Sequence, residues 1–339
     1  MKKAFFINGG IGRVLCAIPA LEWYKENVDS KVVIVAESWT EIYMASPALR
    51  NNVWPVGHKG LFEEKLIDKE IISPEPYRLN EYFNQKCNLI QAFDIIVNDL
   101  KDIPETKKIN IEISGIDQLY GHNLVSQIKN QLGKEKVVVF QPFGSTITQD
   151  GDIILDPSGR SFNVSDVIKI TKELSKNYSV IMMTELDIPV DDAINAAIPK
   201  ANLLQWMGII KSADYFLGCD SMGQHYAHAL NKPSTVVIGS TFPENISYPN
   251  NKNFTIIDNG KNQRIYSPIR ITQDLVSDRV NENLMILDNK TIDSIVKSVI
   301  DKLGKSKLNS ISQLGNTEHV HGPNCGHSIA PPFAKKKKA

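Results

Sequence analysis

Three loops carry residue types able to hold a phosphate compound. In the first, Gly9, Gly10, Gly12 and Arg13 join the apolar run KAFFIN to the amphipathic stretch RVLCAIPALEWYKEN. Glycines let a backbone approach a ligand closely, and the helix N-terminus that follows favours an anion. The spacing is not a dinucleotide fingerprint, because the third glycine is missing from its offset and no acidic residue is clearly placed to hold a ribose. Nor is it a P-loop, since no Gly-Lys-Ser/Thr follows. The second loop, QPFGSTITQDGDIILDPSGRSF (141–162), offers Ser145 and Thr146 as hydroxyl and backbone donors. Its Arg160 suits a bidentate grip on a diphosphate. The third, GCDSMGQHYAHALNKP (218–233), places Asp220 and Ser221 at a strand end, Gly223 at a tight entry into a helix, and His225 in the first turn. Ser221 lacks a G-x-S-x-G elbow, so a Ser-His-Asp hydrolase fits poorly. Taken singly, each loop also reads as an ordinary solvated turn.

The elements that must position these loops alternate. KAFFIN reads as a strand, RVLCAIPALEWYKEN as a helix kinked or restarted at Pro19, KVVIVAE as a strand and FDIIVNDL as a later strand. Residues 51–91 are irregular and read as loops and short helices. EKVVVFQP opens a second series, followed by the helix NVSDVIKITKELSKN, the strand YSVIMMTE, the helix LLQWMGIIKSA, the strand DYFLGCD, the helix MGQHYAHALN and the strand STVVIGS. TIDSIVKSVIDKL (291–303) closes it as an amphipathic helix. Such βα alternation implies parallel sheets with crossover helices, and ligands then bind beyond the carboxyl ends of the strands. The chain divides into a domain at 1–130, a second at 131–303 and a flexible tail at 304–339.

Bulk properties set the class. The 339 residues are 42% hydrophobic and 22% charged, a composition of soluble globular proteins with room for two cores. The 38 basic and 38 acidic residues cancel, which argues against a protein built chiefly to grip a nucleic-acid backbone. Four cysteines lie far apart, as reduced thiols do. No segment reads as a signal peptide or a membrane span, so a cytoplasmic, soluble protein is expected.

The order of the motifs resembles the heptosyltransferase family of bacterial glycosyltransferases. Gly12–Arg13 followed by Pro19, Ala20 and Leu21 stands where that family has a Gly-Asp pair and then Pro-Ala-Leu. FQPFGST and GRSFNVSD occupy the places of its Pro-Gly-type loop and the basic residue before a helix. Asp220, Ser221, Gly223, His225, AHALNKP and VVIGSTFPENISYP resemble its Asp-Ser/Thr-Gly-x-x-His helix start and its Gly-x-Thr-x-Pro strand end, with the glycine displaced by one place. The resemblance spans roughly residues 3–303. It implies an α/β GT-B architecture of two facing Rossmann-like, doubly wound domains with a cleft between them. It also implies a nucleotide-diphosphate sugar donor in the second domain. Ser145, Thr146 and Arg160 would meet the phosphates, Asp220 the sugar hydroxyls, and Ser221, Gly223 and the helix start would lie near the diphosphate, with Glu185 and His225 on the same side. The first domain would present the acceptor, whether a glycan, a lipid-linked sugar, or a nucleotide or DNA. No metal cofactor would be required, because positive charges and helix ends stabilise the leaving group.

Residue 13 departs from that family, whose aspartate there acts as the general base. Arginine does not give up its proton in a protein and cannot take that role. Three readings follow. Asp99, Glu37 or Glu185 supplies the base; or Arg13 binds an anionic acceptor or the departing phosphate in a substrate-assisted or retaining mechanism; or the chain binds sugar nucleotides or glycans without catalysis. Nucleotide-sugar epimerases share the architecture and form a further alternative. In the tail, His319, His321, Cys325 and His327 have the chemistry of a Zn²⁺ site with a structural or docking role, and the Lys run after them could touch nucleic acid or an anionic membrane. Trp39, after the second strand, is expected to border the acceptor cleft, and Trp206 and Met207 to pack a helix.

Overall fold

The computed structural model describes residues 2–150, 153–156, 158–186, 188, 196–264 and 283–305. The first domain contains β1 (Lys2–Ile7), α1 (Ile11–Asn27), β2 (Val33–Ala36), α2 (Thr40–Met44), β3 (Val53–Pro55), β4 (Lys69–Ile72), α3 (Asn80–Phe83) and α4 (Leu89–Asn98). Its four strands are parallel, in the order β3-β2-β1-β4. After α5 (Gly115–Leu132) come β5 (Val137–Gln141), the antiparallel hairpin β6 (Thr148–Asp150) and β7 (Ile153–Leu155), α6 (Val164–Ser175), β8 (Ser179–Met182), β9 (Ala196–Ala197) and α7 (Leu203–Ser212). The chain continues through β10 (Tyr215–Cys219), α8 (Met222–Ala229), β11 (Ser234–Ile238), α9 (Pro243–Ile246), β12 (Phe254–Asp258) and α10 (Asn289–Leu303). These strands form a parallel sheet ordered β12-β11-β10-β5-β8-β9.

β5, β10 and β11 are buried along their whole length, as their Val, Ile, Phe and Tyr content requires of strands covered on both faces. Strand order reverses between β5 and β10 in the second sheet and between β1 and β4 in the first. Crevices open at such switch points. The loops after β1, β5 and β10 are therefore where topology alone places a ligand.

Three sequence expectations need correction. FDIIVNDL is helical, not a strand: α4 starts from a reciprocal capping box between Asn88 and Gln91 and buries Leu89, Ile90, Ala92, Phe93 and Val97, a helical spacing. Residues 51–91 hold two strands, β3 and β4, each too short to show a period. α1 runs without interruption through Pro19.

The helix α5, assigned from sequence to the first domain, packs on α7. Gly121 and Gly208 make that contact: a Cβ on Gly121 would lie 2.1 Å from the Gly208 carbonyl carbon, and one on Gly208 2.2 Å from the Asp117 oxygen. The chain crosses between domains before α5, along an extended segment tied to the first domain at Glu112, whose N–H donates to the Ala45 carbonyl at 2.8 Å. The two domains also meet directly where α1 packs on α8.

Candidate functional site

The glycine turn starts with Gly9 at φ 97°, a left-handed conformation that explains a glycine there. Gly10 is the N-cap of α1 and supplies no side chain to cap it. Ser38 fastens the next loop to this turn by donating from Oγ to the Gly9 carbonyl at 2.9 Å. Gly12 lines the cleft and also serves the packing between helices. A Cβ there would stand 2.8 Å from His225 Cδ2, so its missing side chain lets α1 approach α8.

Arg13 is turned into its own domain. Nη1 donates to Glu75 Oε1 at 2.9 Å and Nη2 to the Pro74 carbonyl at 2.7 Å. Its guanidinium carbon lies 5.2 Å from the Tyr77 ring centroid and 5.3 Å from that of Phe93. The side chain is only 3% exposed. Its charge is thus committed to a carboxylate that sequence reading did not single out.

In the second domain, the half-buried carboxylate of Asp156 organises the loop after β5. It accepts from Thr146 Oγ1 at 2.8 Å, from the Ser158 N–H and Oγ at 2.8 and 2.5 Å, and from the Ser161 N–H at 2.8 Å. Burial alone would raise its pKa, but the bonds from Ser158, Ser161 and Thr146 outweigh burial and hold it well below the usual carboxylate range. Arg160 is shaped by the same loop: Nε donates to Ser158 Oγ at 3.1 Å and Nη1 reaches the Asp220 carbonyl at 3.5 Å. Burial works against its charge, while Asp220 and Asp156 favour it, and the net direction is upward.

Asp220 follows β10, buried, with both carboxylate oxygens engaged. Oδ1 accepts from Gln224 Nε2 at 2.8 Å and Oδ2 from Thr241 Oγ1 at 2.9 Å. Gln141, the polar residue that ends β5, clamps the start of α8. Its Oε1 accepts from the Gly223 N–H at 2.9 Å and its Nε2 donates to Ser221 Oγ at 3.0 Å. A Cβ on Gly223 would fall 2.3 Å from Gln141 Oε1, which accounts for the glycine. His225 Nδ1 lies 2.7 Å from the Tyr248 hydroxyl and 3.5 Å from Cys16 Sγ of α1. Burial, with smaller contributions from His228 and Arg160, pushes its pKa down to about 3, so the ring is neutral.

These loops enclose a cleft of about 600 Å³ between the domains. One wall is residues 9–13, Trp39, Tyr77 and Leu89. The other is Gln141, residues 143–147, Arg160, residues 183–186, residues 201–203, Trp206, residues 220–222 and His225. The structure therefore brings Gly9, Gly10, Gly12, Arg13, Ser145, Thr146, Arg160, Glu185, Asp220, Ser221 and His225 to one place, while Gly223, next to the lining residue Met222, does not itself line it. Trp206, expected only to pack its helix, is buried and also borders the cleft.

Two expected carboxylates do not reach the cleft. Asp99 ends α4 rather than a strand, at φ 52°, and its exposed carboxylate pairs with Lys3 at 2.6 Å, at the start of β1 and away from the carboxyl ends. Glu37 follows β2 but is exposed and does not line the cleft. The residues missed from sequence are Gln141, Asp156 and Glu75. Only Gln141 left a signal, as a polar end to an apolar strand.

Residues 183–268 match the sequence profile of glycosyltransferase family 9 (heptosyltransferase). The fold agrees with ADP-heptose LPS heptosyltransferase II from E. coli, at a TM-score of 0.57 over 89% of this chain and 98% of that one, with 12% identity. It has the heptosyltransferase fold. A family 9 glycosyltransferase from Veillonella parvula matches at a TM-score of 0.62, covering 89% of this chain and 98% of the other at 11% identity. The E. coli heptosyltransferase WaaC with ADP-2-deoxy-2-fluoro heptose matches at 0.50, over 87% and 99%, at 13% identity. No curated protein sequence matches the chain significantly. The heptosyltransferase resemblance and the GT-B architecture of facing Rossmann-like domains thus stand on profile and fold alike. The profile match includes Asp220, Ser221, Gly223 and His225 but not the turn with Arg13.

Among the described residues, no group of three or more His, Cys, Asp or Glu side chains is placed to hold a metal, and no helix is long and apolar enough to cross a membrane. The tail candidates His319, His321, Cys325 and His327, and the Lys run, lie outside the described residues. Cys16, Cys87 and Cys219 are buried free thiols.

Proposed function

We propose that this heptosyltransferase-like chain transfers a sugar from a nucleotide-diphosphate sugar to an acceptor hydroxyl. The observation that carries the reading is the convergence of the loops after β1, β5 and β10 on one cleft, at the switch points of both sheets. The ADP-heptose and ADP-2-deoxy-2-fluoro heptose named with two of the similar structures make an ADP-linked sugar the first donor to try. Ser145 and the Arg160 guanidinium hold the diphosphate, and α8 adds the positive end of its dipole. Arg160 and that helix end stabilise the negative charge that builds on the leaving diphosphate. Thr146 acts through Asp156, by shaping the loop. Asp220 fixes the loop beneath the sugar through Gln224 and Thr241, and Glu185 is the exposed carboxylate on the donor wall able to accept hydroxyl hydrogens or a proton. No cofactor step enters this reading.

One observation favours the reading in which the chain binds without catalysis. Arg13 is bound to Glu75, and the first-domain wall of the cleft presents no carboxylate among the described residues. A thermal-shift panel of ADP-, GDP-, UDP- and CMP-linked sugars, with Asp220→Ala in parallel, tests the donor site. A ligand that binds only the folded state raises the melting temperature by mass action. A shift with one donor, absent in the variant, supports the site. No shift with any donor removes it. Nucleoside diphosphate release with transfer of the sugar then separates turnover from binding alone.

A further inference from the structure

We infer that Gln141 is a positioning residue, which fixes the Ser221 hydroxyl as a hydrogen-bond donor to the diphosphate of the nucleotide sugar. The inference rests on the glycosyl-transfer reading and adds to its diphosphate site. Gln141 ends β5, is buried, and lines the cleft as Ser221 does. The polarity of the pair follows from one group that cannot change its role. The Gly223 N–H only donates, so the carboxamide meets it with Oε1, at 2.9 Å. Nε2 is then left facing Ser221 Oγ at 3.0 Å, and an amide nitrogen also only donates. Ser221 Oγ must therefore accept from Gln141, and its own proton remains to be given away. No protein group among the described residues takes it.

The place of Ser221 in its helix sharpens the point. The helices α4, α5, α6, α7 and α10 start from Asn88, Ser114, Asn163, Asn202 and Asp288, and each of those side-chain oxygens accepts from a backbone N–H in its own first turn. Ser221 is the N-cap of α8 and makes no such bond. Gln141 Nε2 holds its oxygen, and Gln141 Oε1 takes the Gly223 N–H in its stead. What the cleft receives is a hydroxyl with a proton to donate, at the positive end of α8. Arg160 Nη1 lies 3.5 Å from the carbonyl of Asp220, the residue before Ser221, so a guanidinium stands at the same corner. A hydroxyl donor, a guanidinium and a helix N-terminus together suit a group that only accepts and is negatively charged, as phosphate oxygens are.

Isothermal titration calorimetry of the full chain with ADP, GDP, UDP and CDP tests the assignment, the tightest of the four serving as probe. Ser221→Ala removes the proton and should weaken the probe by about tenfold or more, the worth of a hydrogen bond to a charged group. Ser221→Thr keeps the hydroxyl and should retain most of the affinity. Gln141→Glu keeps both contacts, but a carboxylate accepts from the Gly223 N–H and from the Ser221 hydroxyl alike, which turns the proton away from the ligand. It should weaken the probe by at least about tenfold. Its charge also repels a diphosphate, and the double variant with Ser221→Ala separates the two effects. Charge alone gives losses that multiply, whereas loss of the shared proton leaves the double variant about tenfold tighter than that product. Gln141→Met, with neither charge nor amide, should weaken the probe about threefold or more in the Ser221 protein and leave Ser221→Ala unaffected. Urea midpoints taken in parallel keep folding losses apart from binding losses. Unchanged affinity in Ser221→Ala or Gln141→Met, or losses that multiply in either double variant, overturns the assignment while the donor site stands. No binding of any nucleoside diphosphate by the wild type removes the donor site itself, and the assignment with it.

Discussion

Replacing Arg13 by Met tests whether its guanidinium belongs to the fold or to the substrate. The Arg13 side chain is 3% exposed and that of Glu75 25%. Removing one partner of a buried ion pair costs about 3–5 kcal/mol, because the remaining charge is left uncompensated. Glu75 keeps part of its surface in water, so the loss for Arg13→Met is nearer about 2–3 kcal/mol. Met retains much of the apolar stem between Tyr77 and Phe93, which confines the effect to the charge and the bond to Pro74. Glu75→Gln leaves Arg13 a neutral acceptor and costs about 1–2 kcal/mol. The double variant has no orphaned carboxylate and should be more stable than the sum of the singles predicts, by at least about 1 kcal/mol. Urea unfolding followed by circular dichroism and tryptophan fluorescence measures the cycle. With a slope of about 3 kcal/mol/M, Arg13→Met lowers the midpoint by roughly 0.7–1 M. A change below about 0.3 kcal/mol, or an additive double variant, would refute the structural role and return Arg13 to the substrate.

Further outcomes can be measured on the same footing. Gly121→Ala drives a methyl against the Gly208 backbone and should cost at least about 1–3 kcal/mol, read as a lower urea midpoint, while alanine at the unobstructed Gly115 should not. His225 has a folded pKa near 3, below the ordinary 6.5, so the unfolded chain binds the proton that the folded one excludes. Its contribution is complete above about pH 6.5 and falls as the pH drops toward the folded value, by about 2 kcal/mol between pH 6.5 and 5. His228, pushed down to about 4 by burial, acts in the same direction. Urea midpoints across that range should fall less steeply in His225→Gln. Asn245 of α9 donates to the Tyr82 and Cys87 carbonyls at 2.8 and 3.0 Å, bridging that helix to the first domain. Asn245→Ala should raise the radius of gyration in small-angle scattering, and an unchanged profile would show that the bridge does not hold the domains together.

Asp220, Arg160 and the glycine turn were legible in the sequence because their signals are local. A buried apolar run ended by Gly, Asp or Ser and followed by an amphipathic stretch marks a strand, a ligand loop and a helix start, and topology then sends those loops to one crevice. FDIIVNDL misled because a short apolar run fits either period, and the Asn88–Gln91 capping box that decides it lies upstream. Asp99 fell with it, since its candidacy depended on ending a strand.

The sequence by itself determined the parallel α/β alternation, the existence of two sheets and the three loops that meet in the cleft, because period and capping act over a few residues. Tertiary structure alone decided what each charged side chain faces. Arg13 is 62 positions from Glu75, and Asp220 is 21 from Thr241. Gly12 is a glycine because of His225, more than two hundred residues away, and α5 belongs with α7 because Gly121 meets Gly208. Ion pairing and close packing depend on distances of a few ångströms between segments far apart in the chain, and no local pattern encodes those distances.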